Sequence, residues 1–168
     1  MKSAAQAWVT DPAAVVLDTE TTGLDGWPVE VAVLDMSGRV LLDTLAVPPV
    51  PVEAAARSVH GITDEELAGA PALRRVLDEL AAVLLGRVVL AYNAPFDRGV
   101  LTRAYTDEVR ALPLWQGWGC VMELESWNVG QCADDGRVRA VRLESAEHRA
   151  VGDCKAALAV LHRLSEGD

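Results

Sequence analysis

A mixed α/β sheet flanked by helices is the fold class this sequence predicts, and three observations predict it. Three apolar-rich stretches, Ala13 to Thr19, Val29 to Asp35 and Val40 to Val47, follow one another across short turns. Beyond them, Leu73, Val76, Leu77, Leu80, Val83 and Leu84 recur at helical spacing, and a nearly all-apolar strand, Arg87 to Tyr92, comes next. Val15-Val16-Leu17 is apolar on both faces, which is normal for the middle of a covered sheet. Strands in series, then strands alternating with helices, make a mixed sheet.

A chain of 168 residues fits one domain, taken as residues 1–168 with a core of about 13–165. The apolar fraction of 51% excludes a disordered polypeptide. No run approaches the ~20 apolar residues of a membrane span, so no membrane partner is expected. Met1 to Trp8 has one Lys and no apolar block, unlike a signal peptide. Cys120, Cys132 and Cys154 lack metal-site spacing and read as free thiols, consistent with a reducing, cytoplasmic setting. The formal charge of −10 argues against a broad electrostatic grip on nucleic acid. Local contacts stay open, because acidic metal ligands add to that count and bound cations would offset it.

In order, Thr21 to Pro28 is a turn after the first strand and Ser37-Gly38 is a tight turn after the second. The three strands so joined form an antiparallel meander. Pro48, Pro49 and Pro51 stop the sheet. Val52 to Ser58 forms a short helix and His60-Gly61-Ile62 a loop, after which Thr63-Asp64-Glu65-Glu66 carries a capping-box pattern. Pro71 stands where the long helix starts, and Gly86 ends it. Asn93-Ala94-Pro95 opens a helix running to about Tyr105. Leu112 to Gly119 is irregular, Cys120 to Met122 is a short fifth strand, and Glu123 to Val129 is helical. Gly130 to Arg142 is a polar loop carrying Arg137, Arg139 and Arg142, either a guide for a bound strand or an ordinary solvated loop, and the last helix covers Ala150 to Leu164.

Four carboxylates and one imidazole stand out against this frame. Side chains on a strand alternate, so Asp18 and Glu20 face the same way, with Val16 behind them. Two acids ending an interior strand either meet water or flank a cation. Asp97 heads a row continuing through Val100, Leu101 and Ala104, so it looks inward, although the helix dipole alone favours an acid in a first turn. Asp153 heads Ala157, Val160 and Leu164, as a buried partner of other groups or as a helix cap. His148 is five residues before Asp153, on a different face of any continuous helix, so it must precede the helix if the two cooperate.

Asp18-Thr19-Glu20-Thr21-Thr22-Gly23, then Asn93-Ala94-Pro95-Phe96-Asp97, then His148 with Asp153 resemble the three exonuclease motifs of DnaQ-like 3′–5′ exonucleases, the DEDD superfamily of His subtype. His60-Gly61-Ile62-Thr63 also resembles the segment between the first two motifs in that family. The resemblance covers about residues 13 to 165. It implies an RNase H-like fold with a mixed five-stranded sheet. It also implies that Asp18, Glu20, Asp97 and Asp153 gather around two Mg²⁺ or Mn²⁺ ions that clamp an in-line displacement at a 3′ end, releasing nucleoside 5′-monophosphates.

On that resemblance Asp18 bridges the ions, Glu20 and Asp153 complete the nucleophile side, Asp97 holds the second ion, and His148 is the general base, a task that suits imidazoles as a class near neutral pH. Thr19, Thr21, Thr22, Leu24, His60, Ile62, Asn93 and Phe96 are the expected substrate contacts, with Leu24 and Ile62 wedged against the terminal base and Phe96 stacked nearby, or else these three apolar residues are core. The expected partner is a single-stranded 3′ end, DNA before RNA. Exoribonuclease trimming and a non-catalytic polymerase-associated or nucleic-acid-binding module are the alternatives, and self-association or polymerase contact is left open. The Trp-rich stretch (Trp115, Trp118, Trp127) and Cys120 to Glu123 depart from the family pattern. Little chain follows the last helix, so a stand-alone enzyme is expected rather than a polymerase-tethered one.

Overall fold

A computed structural model describes residues 2–131, 139–144 and 148–167. Its five strands are β1 (Ala14–Thr21), β2 (Pro28–Asp35), β3 (Val40–Leu45), β4 (Val88–Ala91) and β5 (Gly117–Cys120), in the sheet order β3-β2-β1-β4-β5. The predicted meander is present: β1 pairs antiparallel with β2, and β2 with β3. β4 lies parallel to β1, with Val16 opposite Leu90, and β5 lies parallel to β4. β1 is therefore central.

Alternation along β1 divides the core in two. Val15 and Leu17 face one layer, with Val31 and Val33 of β2, helix α4 (Leu73–Leu84) and helix α5 (Ala94–Asp107). Val16 faces the other, with Ala32, Leu34 and helix α7 (Ala150–Glu166). Both layers exclude water from β1, as its apolar run requires. Helices α2 (Ala54–His60) and α3 (Asp64–Ala68) link the meander to α4. The Thr63 capping box at α3 is complete, Thr63 Oγ1 accepting the Glu66 N–H at 3.2 Å and Glu66 Oε2 accepting the Thr63 N–H at 2.8 Å.

Several boundaries differ from the sequence reading. The start of the chain, given no element in the sequence reading, is helix α1 (Lys2–Thr10), and Trp8 and Val9 pack on the α7 layer. Pro71 stands two residues before α4, and its carbonyl accepts the Val47 N–H at 2.9 Å, tying the meander's exit to the helix. The fifth strand is Gly117–Cys120, and Val121–Asn128 is helix α6. The two glycines hid that strand, and Gly119 is required there: a Cβ would stand 2.5 Å from the Trp8 ring and 2.7 Å from Leu90. Trp115 and Trp118, which broke the family pattern, meet edge to face at 5.4 Å and pack on the α4 layer. Trp127 is half exposed. Cys132 and Arg137 lie outside the described residues. Among the described residues no helix is long and apolar enough to cross a membrane.

Replacing Gly119 by Leu is expected to dislodge the Trp8 ring and cost about 1–3 kcal/mol of overpacking. Urea unfolding monitored by Trp fluorescence measures it, and an unchanged midpoint would show that α1 docks without that contact.

Candidate active site

The carboxyl ends of β1 and β4 open beside the N-termini of α5 and α7, the usual place for a ligand crevice in an α/β sheet. Asp18 and Glu20 leave β1 on the face that α7 covers, and Asp153 sits in the first turn of α7. Carboxylate oxygens of these three residues lie within 4.8 Å of one another. The β1–β2 register slips between Glu20 and Thr21, an irregularity that ends regular pairing beside the acids. Asp97, in the first turn of α5, stands outside that trio but lines the same cavity. Its Oδ1 accepts the Thr19 hydroxyl at 2.8 Å and the Thr19 N–H at 3.1 Å, so α5 is latched to β1 at the residue between the two strand acids.

That cavity, about 180 Å³, is lined by the four acids together with His148 and Asn93, and Phe96, Tyr92 and Leu143 close its sides. His148 lies before α7, where cooperation with Asp153 would need it, with a left-handed backbone of φ 41°. A second, mostly apolar cavity of about 420 Å³ adjoins it through Thr19, Glu20 and Phe96, and continues over Leu24, Glu53, Ala56 and Val59. Leu24 is 85% exposed there, so it is not core.

Other sequence-derived contacts are placed differently. Ile62 is fully buried with Val29, Val52 and Leu67, and cannot meet a base. His60 is buried at the end of α2, where its Nδ1 accepts the Ile62 N–H at 3.0 Å and shapes the turn. Burial pushes its pKa down. Thr22 is also buried, its Oγ1 accepting the Trp27 N–H at 3.1 Å inside the β1–β2 loop. Thr21 donates to the Gly23 carbonyl at 2.8 Å and lines the larger cavity. Gly26 closes this loop, since a Cβ would come within 2.6 Å of the Gly23 nitrogen. Arg139 and Arg142 are exposed and line neither cavity of the site.

Electrostatics distinguish this cluster from a solvated acidic face. Asp18 is held well above the usual carboxylate range, first by burial and then by Asp97, Glu20 and Asp153. Glu20 is pushed up to about 8 by burial, Asp153, Glu30 and Asp97, against a small opposing pull from Arg149. Burial raises Asp97 to about 7, although its Thr19 hydrogen bonds work the other way. Acids crowded like this stay ionised at neutral pH only beside positive charge. Oxygens on opposite sides of a Mg²⁺ ion are about 4 Å apart, so the trio's spacing and all-oxygen chemistry fit a hard divalent cation.

Two contributors were not read from the sequence. Glu30 is only 4% exposed on β2, binds Arg149 and adds to the field on Glu20. Its signal was a lone charge inside the apolar run Val29 to Leu34. Val59 is 54% exposed in the larger cavity, on a helix that runs past the Ser58 end read from the sequence.

A model of the RNase_T family, described as Exonuclease, matches residues 15–161. The chain is 29% identical to an uncharacterized exonuclease of Escherichia phage 186, over 97% of this chain and 93% of that protein. It is 35% identical to DNA polymerase III subunit epsilon of Pasteurella multocida over 52% of this chain, which spans only 39% of that relative. Among solved structures, Exonuclease X in complex with 5′-overhanging duplex DNA superposes with a TM-score of 0.63 at 27% identity, covering 92% of this chain and 93% of the other. A 3′-exonuclease with histone mRNA stem-loop, at 13% identity and a TM-score of 0.65 over 92% of this chain and 64% of the other, shares the fold.

The raised carboxyl pKa values set a pH dependence for metal-free protein. A carboxyl whose folded pKa exceeds its unfolded value binds its proton more tightly in the native state. Its stabilising share is complete below about 4.5 for Glu20 and is lost as pH rises through about 8. Metal-free melting temperature is therefore expected to fall between pH 6 and pH 9, by several degrees at roughly 2–4 °C per kcal/mol. Mn²⁺ should restore more of it at pH 8.5 than at pH 6, and Glu20→Gln should flatten the fall. Equal slopes for the two proteins by differential scanning fluorimetry would contradict this origin.

Proposed function

The chain belongs to the RNase_T exonuclease family, and on that premise we propose that it hydrolyses the terminal phosphodiester at 3′ ends of single-stranded DNA, releasing nucleoside 5′-monophosphates with the help of two divalent cations, Mg²⁺ or Mn²⁺. One observation carries the reading: three carboxylates whose oxygens approach within 4.8 Å share a cavity with Asp97 and His148.

Asp18, Glu20 and Asp153 would hold the cations, with Asp97 completing the set. Bound there, divalent ions stabilise developing negative charge at the reacting phosphate and lower the pKa of water. The chain's own residues do the rest. His148 faces the acids across a small cavity and takes the proton from the attacking water. Thr19 fixes Asp97 through two hydrogen bonds, so the fourth acid is set before substrate arrives. Leu24, Val59 and Phe96 offer an apolar wall beside the acids, suited to the face of any terminal base. Asn93 lines the acidic cavity with an exposed amide able to reach a phosphate oxygen. DNA is favoured because the 27%-identical solved relative is a DNA complex. The RNA-associated neighbour shares little sequence.

On a 5′-labelled single strand with Mn²⁺, stepwise shortening from the 3′ end is expected. Asp18→Asn should abolish it with the fold retained by circular dichroism, and His148→Ala should slow it ~10²–10⁴-fold while Mn²⁺ affinity is kept. Loss of Mn²⁺ binding in His148→Ala would make that residue a ligand instead. Matched RNA cut faster than DNA would replace the substrate assignment. Leu24→Ala is expected to raise KM more than it lowers kcat, and the reverse split would remove Leu24 from base binding.

A further inference from the structure

Arg149 follows His148 directly, and its guanidinium is spent on β2. Arg149 Nε lies 3.0 and 3.1 Å from the two Glu30 carboxylate oxygens, and Nη2 lies 2.6 Å from Oε1. The same buried carboxylate accepts the Ala150 N–H at 2.9 Å. Glu66 on α3 stands 3.8 Å from Nη1 and flanks the pair. One side chain of β2 thus grips two successive residues, one by its side chain and one by its main chain.

The place of this grip is what matters. Arg149 is the N-cap of α7, yet its side chain does not cap the helix. Glu30 supplies the anionic oxygen that the first turn of α7 wants, from a different element. The residue just before is His148, in a backbone region that residues with a Cβ adopt only when their surroundings enforce it. Charge pairing at a buried carboxylate is also geometrically selective, since a planar guanidinium fits it in few orientations.

We propose that Glu30 and Arg149 are positioning residues for His148. Their ion pair, with the Glu30–Ala150 hydrogen bond, fixes where the loop ends and α7 begins, sets the left-handed turn at His148, and so directs the imidazole into the cavity of the four acids. Neither residue touches the reacting atoms. The assignment rests on His148 being the base in the proposed reaction. Arg149 as a phosphate anchor is the competing role, and it is less compatible with a guanidinium whose Nε and Nη2 already donate to Oε2 and Oε1 of Glu30.

Removing Arg149 alone leaves an uncompensated buried charge, so the main variant is the neutral double Glu30→Gln/Arg149→Met, made in the wild-type and His148→Ala backgrounds. With a single-stranded DNA substrate and Mn²⁺, the double variant is expected to lower kcat about tenfold with KM changed less than twofold. In the His148→Ala background it should lower kcat less than twofold, because the group it positions is gone. Equal losses in both backgrounds would overturn the proposal, as would a tenfold rise in KM. A second readout does not require activity. Imidazole NMR resonances assigned by comparison with His148→Ala should shift and broaden in the double variant, with Mn²⁺ affinity and the far-ultraviolet spectrum unchanged. Unmoved resonances would overturn the proposal too. A wild-type chain that cuts neither DNA nor RNA would instead defeat the nuclease reading, leaving the resonance test to decide the clamp.

Discussion

Like charges resist being brought together out of water, and this fold brings four carboxylates to one crevice. Asp18 and Glu20 arrive on a strand whose apolar residues are sealed by two helical layers. Asp97 and Asp153 arrive at the first turns of α5 and α7. The hydrophobic layers supply the free energy that holds the carboxylates in place against their repulsion. Helix N-termini contribute a smaller, directional share, since both α5 and α7 aim the positive ends of their dipoles at the acids. The sheet explains why two helices can start at the same spot. β1 and β4 run parallel, so the chain leaves β4 toward the crevice and enters α5 at once, while α7 crosses the opposite face.

Polar support is unequal among the four. Thr19 turns one residue of β1 into a bracket for α5, and Glu30 turns one residue of β2 into a bracket for α7. Both brackets come from strands on the meander side of the sheet. The two helices that carry the outlying acids are thus referenced to the same rigid frame as Asp18 and Glu20. Precision of that kind separates a binding constellation from a merely acidic patch.

Much of this was legible in the sequence because strand and helix periodicities convert directly into direction. Asp18 and Glu20 had to share a face, and Asp97 had to look inward with Val100, Leu101 and Ala104, which are all buried. His148 had to precede its helix if it was to work with Asp153. The convergence of the acids came from resemblance to a known family, since no period relates residue 18 to residue 153. The misplacements also have physical causes. Ile62 was read by its motif neighbours, but α2, α3 and β2 enclose it in a small core of their own. Gly117 and Gly119 disguised β5, whose strand state is imposed by pairing with β4 and by a ring lying over the second glycine. Glu30 looked like one acid among 25 until its partner, 119 residues away, was seen.

The packing of α1 and α7 on one another, and of α7 on β1, has a consequence for how the molecule comes into being. The central strand is synthesised long before the helix that covers one of its faces and brings Asp153, with every other strand of the sheet made in between. Until α7 has been made, Val16 lacks its helical cover. Assembly of the crevice must therefore wait for α7, and until then the nascent chain carries its central strand covered on one face only.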